Sequence, residues 1–130
     1  MTLLDDVNAT DVHPVLWLAL GAIATYHRGT TAAEMVITSL RRAPGPRRSL
    51  HSPPPGELCQ AADIRRWYLD ERANAHSFGR LLQQRFGAWL GVVLEPEWLS
   101  PAEIEERGGY DSIAPHLHVE LKATEWPRGL

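Results

Sequence analysis

Two groups of residues in this 130-residue chain have the types and spacing that chemistry needs. The first is Ser77, Arg80, Gln83 and Gln84. If residues 77–90 wind as a helix, these lie opposite an apolar face of Phe78, Leu81, Leu82, Phe86 and Trp89. An arginine can meet the O6/N7 edge of guanine through two hydrogen bonds, and a glutamine can do the same with the N6/N7 edge of adenine. The second group is the alternating run His116, His118, Glu120 and Lys122, which falls on one face of a strand. A His-x-His pair beside a carboxylate is a ligand set for a divalent metal. Each group also has an ordinary reading, as the solvated face of an amphipathic helix or the polar face of an edge strand. The lone cysteine, Cys59, sits among apolar residues and is expected to be a buried structural thiol. The chain has no nucleophile elbow and no glycine-rich phosphate loop.

The elements that must position these groups follow from periodicity and punctuation. Pro14 can open a helix, because its missing N–H costs nothing there, and residues 15–24 are apolar all round. That run is too short to span a membrane, and Gly29 suits its end. Thr31 and Glu34 have capping-box spacing, and Ala33, Val36, Ile37 and Leu40 make an apolar face, so a second helix is expected to end at Arg41-Arg42. Residues 1–42 would then be an αα-hairpin. Residues 43–56 are rich in proline and read as a linker carrying Arg47 and Arg48, with a short strand open around Leu50. Residues 57–130 form the core. Leu58, Ala61, Ile64 and Tyr68 have helical spacing, Asn74 to Ser77 is a polar break, the helix of Phe78 to Trp89 follows, and Leu90 to Leu94 is strand-like. Ser100, Pro101 and Glu103 mark a short capped helix. Residues 115–123 alternate strictly, with Leu117, Val119 and Leu121 inward, and should pair antiparallel with Leu90 to Leu94. The whole reads as a single domain.

The composition fits a folded protein, with 44% hydrophobic residues and five Trp. A single cysteine excludes an intrachain disulfide framework, and with no signal peptide evident the expected compartment is the cytoplasm. The net charge of −3 is uneven. Residues 41–85 hold nine Arg against four acids, whereas the last third is acidic. Only Lys122 among the cations is not arginine, the mark of a GC-rich genome as much as of phosphate binding.

The run Asn74-Ala75-His76-Ser77-Phe78-Gly79-Arg80-Leu81-Leu82, preceded by Trp67-Tyr68-Leu69, resembles the winged-helix domain of the regulatory factor X family. It is also similar to the C-terminal domain of phage and poxvirus-type primase-helicases. The resemblance covers about 35 residues and includes a Phe near the end of the recognition helix, here Phe86. It implies a helix-turn-helix and small antiparallel β-hairpin and says nothing of the αα-hairpin; with that hairpin packed on the core, the expected fold is α+β, mainly helical. The resemblance implies that Ser77, Arg80, Gln83 and Gln84 face DNA; apart from it, the basic residues Arg65, Arg66, Arg47 and Arg48 are expected to add contacts by converging on the same face. Where the family has a short basic wing, residues 95–115 are long and acidic. The expected function is that of a non-enzymatic DNA-binding accessory of replication or transcription, of phage or mobile-element origin. It would have no cofactor, no metal and no membrane partner, and homodimerisation through the apolar first helix stays open. The alternative is a protein-interaction adaptor or inhibitor whose acidic third meets a basic partner. Glu120 and Lys122 with Asp111 upstream also look like the site of restriction-type PD-(D/E)xK nucleases. That core needs more chain after the lysine than follows Lys122.

Overall fold

The strand that alternates most strictly in the sequence lies inside the sheet rather than at its edge. In the computed structural model, which describes residues 1–43 and 49–122, β5 spans His116–Leu121 and lies between β3, Ala61–Ile64, and β4, Leu90–Glu95, antiparallel to both. Two further strands complete a five-stranded mixed sheet in the order β1-β2-β3-β5-β4. β2, Val36–Ser39, runs antiparallel to β3, with a register shift between Ile37 and Ser39. β1, Thr2–Leu3, pairs parallel with β2 at the edge.

Leu117, Val119 and Leu121 point to one face, with Ala62 and Ile64 of β3, and Leu90, Val92 and Leu94 of β4. Three helices supply the other side of this core. α1, Pro14–Thr31, contributes Leu16, Leu20 and Ile23; α2, Trp67–Arg72, contributes Leu69; α3, Ala75–Phe86, contributes Phe78 and Leu82. Local signals set the helix starts. Pro14 lies in the first turn of α1, with the His13 ring accepting from the Val15 N–H, and Asn74 caps α3 by accepting from the Ser77 N–H. α4, Pro101–Glu106, carries the full Ser100/Glu103 capping box expected of it, and a 3-10 turn follows at Tyr110–Ser112. Among the described residues no helix is long and apolar enough to cross a membrane.

The mainly helical winged-helix architecture is overturned. The second helix of the expected αα-hairpin is β2: Val36, Ile37 and Thr38 are three β-branched residues in a row, which favour a pleated strand. Thr31 starts no helix downstream, although its hydroxyl accepts from the Ala33 N–H at 3.1 Å. Its hydroxyl donates back to the His27 carbonyl at 2.9 Å, so α1 runs past Gly29 and closes at Ala32 in the left-handed region, φ 58°. The expected helix from Glu57 is also wrong, because Ala61–Ile64 is a strand buried on both faces. A doubly buried strand needs continuous rather than alternating apolar residues, and this one satisfied helical spacing by coincidence. α2 and α3 do form a helix-turn-helix pair followed by β4, and β4 pairs with β5 as expected. But α3 buries Ala75, Phe78, Gly79 and Leu82 against a wide sheet, and the β4–β5 connection holds α4 in place of a wing.

Candidate metal centre

The face of the sheet turned away from the helices carries a concentration of polar groups. Strand alternation puts His116, His118 and Glu120 there, opposite the core-facing leucines and valine. Register then chooses their neighbours. Asp63 of β3 lies across from His118, and Glu95 of β4 lies across from His116. His51 comes from a turn within the proline-rich stretch, just before Pro53. That turn is tied to the sheet by the Arg42 N–H donating to the His51 carbonyl at 2.7 Å and the Gln60 N–H to the Leu50 carbonyl at 3.1 Å.

Three ring nitrogens converge on a single atom, Oδ1 of Asp63. His118 Nδ1 lies 2.9 Å from it, His51 Nε2 3.2 Å and His116 Nε2 3.3 Å. The opposite nitrogen of each ring has its own acceptor. His51 Nδ1 donates to the Leu40 carbonyl at 2.7 Å, His116 Nδ1 to the Ala114 carbonyl at 2.7 Å, and His118 Nε2 to Glu120 Oε1 at 2.9 Å. A carbonyl only accepts, so Nδ1 of His51 and of His116 carries a proton, and Nε2 is the atom aimed at Asp63. Glu95 Oε2 joins from the far side, 3.4 Å from His116 Nε2.

The oxygens of Asp63 and of Glu95 are divided between imidazole on one side and an arginine on the other. Asp63 turns its second oxygen to Arg42, whose Nε donates to Ser39 Oγ at 2.7 Å, and Glu95 turns its second oxygen to Arg107. The Asp63 and Glu95 side chains are only 4% and 3% exposed. Burial alone would raise their pKa values. The hydrogen bonds and positive charges around them outweigh it, so Asp63 is held far below the usual carboxylate range and Glu95 below it. Burial opposes charge on His118 and His116 as well, yet the carboxylates prevail. His118, between Asp63 and Glu120, is pushed up to about 9, and His116 is raised by Glu95 and Asp63. The bond from His118 in turn lowers Glu120. Two overlapping triads, His51–Asp63–His118 and Glu95–His116–His118, each bring their ligand atoms within 4.8 Å of one another.

The expected DNA contacts fall elsewhere. Ser77, Arg80, Gln83 and Gln84 are exposed along α3. Arg80 lies over the Trp98 ring at 5.4 Å, and the Gln83 amide donates to the Val92 carbonyl at 3.3 Å. Arg65 stacks on Trp67 at 3.8 Å. Arg66 is buried and fully engaged, bonding Asp70, both oxygens of Glu97 and the Glu95 carbonyl. Arg47 and Arg48 lie outside the described residues. The nuclease constellation does not assemble: Lys122 donates to the Gly87 carbonyl, and Asp111 lines a separate cleft with Arg66, Glu97 and Pro115.

Sequence reasoning singled out His116, His118 and Glu120 as a metal-capable face and missed His51, Asp63 and Glu95. A signal existed for the two acids, since each interrupts or ends an apolar run, Ala61-Ala62-Asp63-Ile64 and Val92-Val93-Leu94-Glu95. Nothing local marks His51. No family model, curated protein or solved structure matches the chain.

Proposed function

We propose that this protein binds a divalent transition-metal ion, zinc by preference, through His51, His116, His118 and Asp63, with Glu95 as a further oxygen ligand. The observation behind this reading is the convergence of three imidazole nitrogens on one carboxylate oxygen, with the other nitrogen of every ring already donating. An outer acceptor on the non-ligating N–H is how metal-binding histidines are oriented. Imidazole and carboxylate together suit zinc and its first-row neighbours, whereas magnesium and calcium take oxygen shells. The ion displaces the proton that His118 otherwise carries, so binding releases protons and weakens in acid.

Metal analysis after dialysis against zinc, and the visible spectrum of cobalt-substituted protein, test this. One ion per chain is expected, with absorption typical of nitrogen and oxygen ligation. His51→Ala and His118→Ala should lose it, and His76→Ala, whose ring serves Trp98, should keep it. Wild-type protein that retains neither zinc nor cobalt ends the proposal.

DNA contact through the outer face of α3 is the second reading. It is supported by Ser77, Arg80, Gln83 and Gln84 all being exposed on that helix. It has less behind it because Arg66 and Gln83 are engaged within the protein. A fluorescence titration of duplex DNA across salt, with the double variant Arg80→Ala/Gln84→Ala, decides it; no binding at low salt sinks it.

A further inference from the structure

The arginines beside the cluster suggest what a bound metal would present to a ligand. Asp63 is on β3 and Glu95 on β4, with β5 and its histidines between them. Strands lie about 4.8 Å apart, so the two acids stand on strands roughly 10 Å from each other. Arg42 reaches Asp63 from the β2 side, and Arg107 reaches Glu95 from the end of α4. The two guanidiniums therefore flank the histidines from opposite sides. They are more open than the carboxylates they hold: the Arg42 side chain is 48% exposed and that of Arg107 35%. His116 and His118, at 16% and 14%, are the most open of the nitrogen ligands and lie between them. With neutral imidazoles, the carboxylates of Asp63, Glu95 and Glu120 against two guanidiniums and a divalent ion leave the loaded centre with net positive charge.

We propose that the metal-loaded centre takes a phosphate group, free or as a phosphomonoester, with Arg42 and Arg107 as its two guanidinium contacts. This deepens the metal-binding reading and rests on it. A tetrahedral anion has one oxygen for the ion and others for donors on both flanks. A planar carboxylate offers only two oxygens, so with one on the ion it serves only one flank. Arginine forks suit phosphate oxygens, and charge-assisted bonds of this kind are the stronger ones.

Calorimetric titration of zinc-loaded protein with inorganic phosphate, phenyl phosphate and acetate tests this, with zinc content measured on every sample. Expected is saturable binding of a phosphate probe that needs zinc, with acetate at least about tenfold weaker. Arg42→Gln and Arg107→Gln keep an amide donor against the carboxylates but remove the charge, and each should lose about tenfold in phosphate affinity with zinc retained. Tighter binding of phenyl phosphate assigns the site to phosphomonoesters, and tighter binding of inorganic phosphate assigns it to the free anion. Zinc bound without phosphate overturns this inference and leaves the metal reading standing; no zinc bound removes the metal reading first. Phosphate binding unaltered in both variants, or zinc lost from both, overturns it too, because the arginines then serve only the fold or the metal.

Discussion

Asp63 keeps its charge with almost no water around it, because three imidazoles and Arg42 replace the solvent. Its replacement by Asn preserves shape and removes the charge. Asp63→Asn should lower zinc affinity by about 100-fold or more. It should also cost roughly 3–5 kcal/mol in urea unfolding, since it leaves a buried cationic partner unmatched. His118 gives this cluster a pH signature in chelator-treated protein. Its folded pKa of about 9 lies above the ordinary 6.5, so its contribution is full below 6.5 and is lost as the pH rises through 9. Asp63 acts with the opposite sign: its pKa is depressed from 3.8, so its contribution is present above that value and lost in acid. His27 is neutral by burial, and its contribution fades as the pH falls below 6.5. The free energy of urea unfolding should therefore fall between pH 6.5 and 9.5, by on the order of 3 kcal/mol, and His118→Gln should flatten that slope. An equal slope in the variant would place its origin outside this histidine.

At the scale of elements, β5 separates stability from binding by face. Leu117→Ala, on the core side, should cost about 2–5 kcal/mol in chemical unfolding. Glu120→Ala, on the other side and 38% exposed, should cost under about 1 kcal/mol yet weaken zinc binding about 10- to 100-fold, because it removes the acceptor of His118 Nε2. Equal effects of the two changes on both measurements would contradict this division. The two faces of β5 were legible in the sequence, as were the β4–β5 pair, the start of α1 and the α4 cap, because alternation and capping are local. β2 and β3 were not. Four residues of β3 buried on both faces carry no alternation, and Ala61 and Ile64 among them fitted helical spacing. The Ser77-Phe78-Gly79-Arg80 run has a local explanation of its own. Gly79 makes room for the Trp98 ring, a side chain from the β4–α4 connection that a Cβ would meet at 2.6 Å.

Across the whole molecule, the candidate ligands come from positions 51 to 118, and only the assembled sheet brings them together. His51 was illegible for this reason: its partner His118 lies 67 residues away, and nothing near it in the chain announces the pairing. An ion bound to such a set binds the folded state alone, so it stabilises the whole chain in proportion to its concentration. Cys59 offers a way to watch this. Its thiol is wholly buried, donates to the Ala61 carbonyl, and is pushed up in pKa by burial. Its backbone joins the entry of α1, through Val12 and His13, to the segment running from His51 into β3. A thiol reagent can reach it only when that junction parts, so the chain carries one internal clock for its own opening. Zinc at 100 times its dissociation constant should slow that clock about 100-fold if parting the junction also undoes the His51 side of the cluster. An unchanged rate would mean that the strap holding His51 and the seam at Cys59 breathe independently.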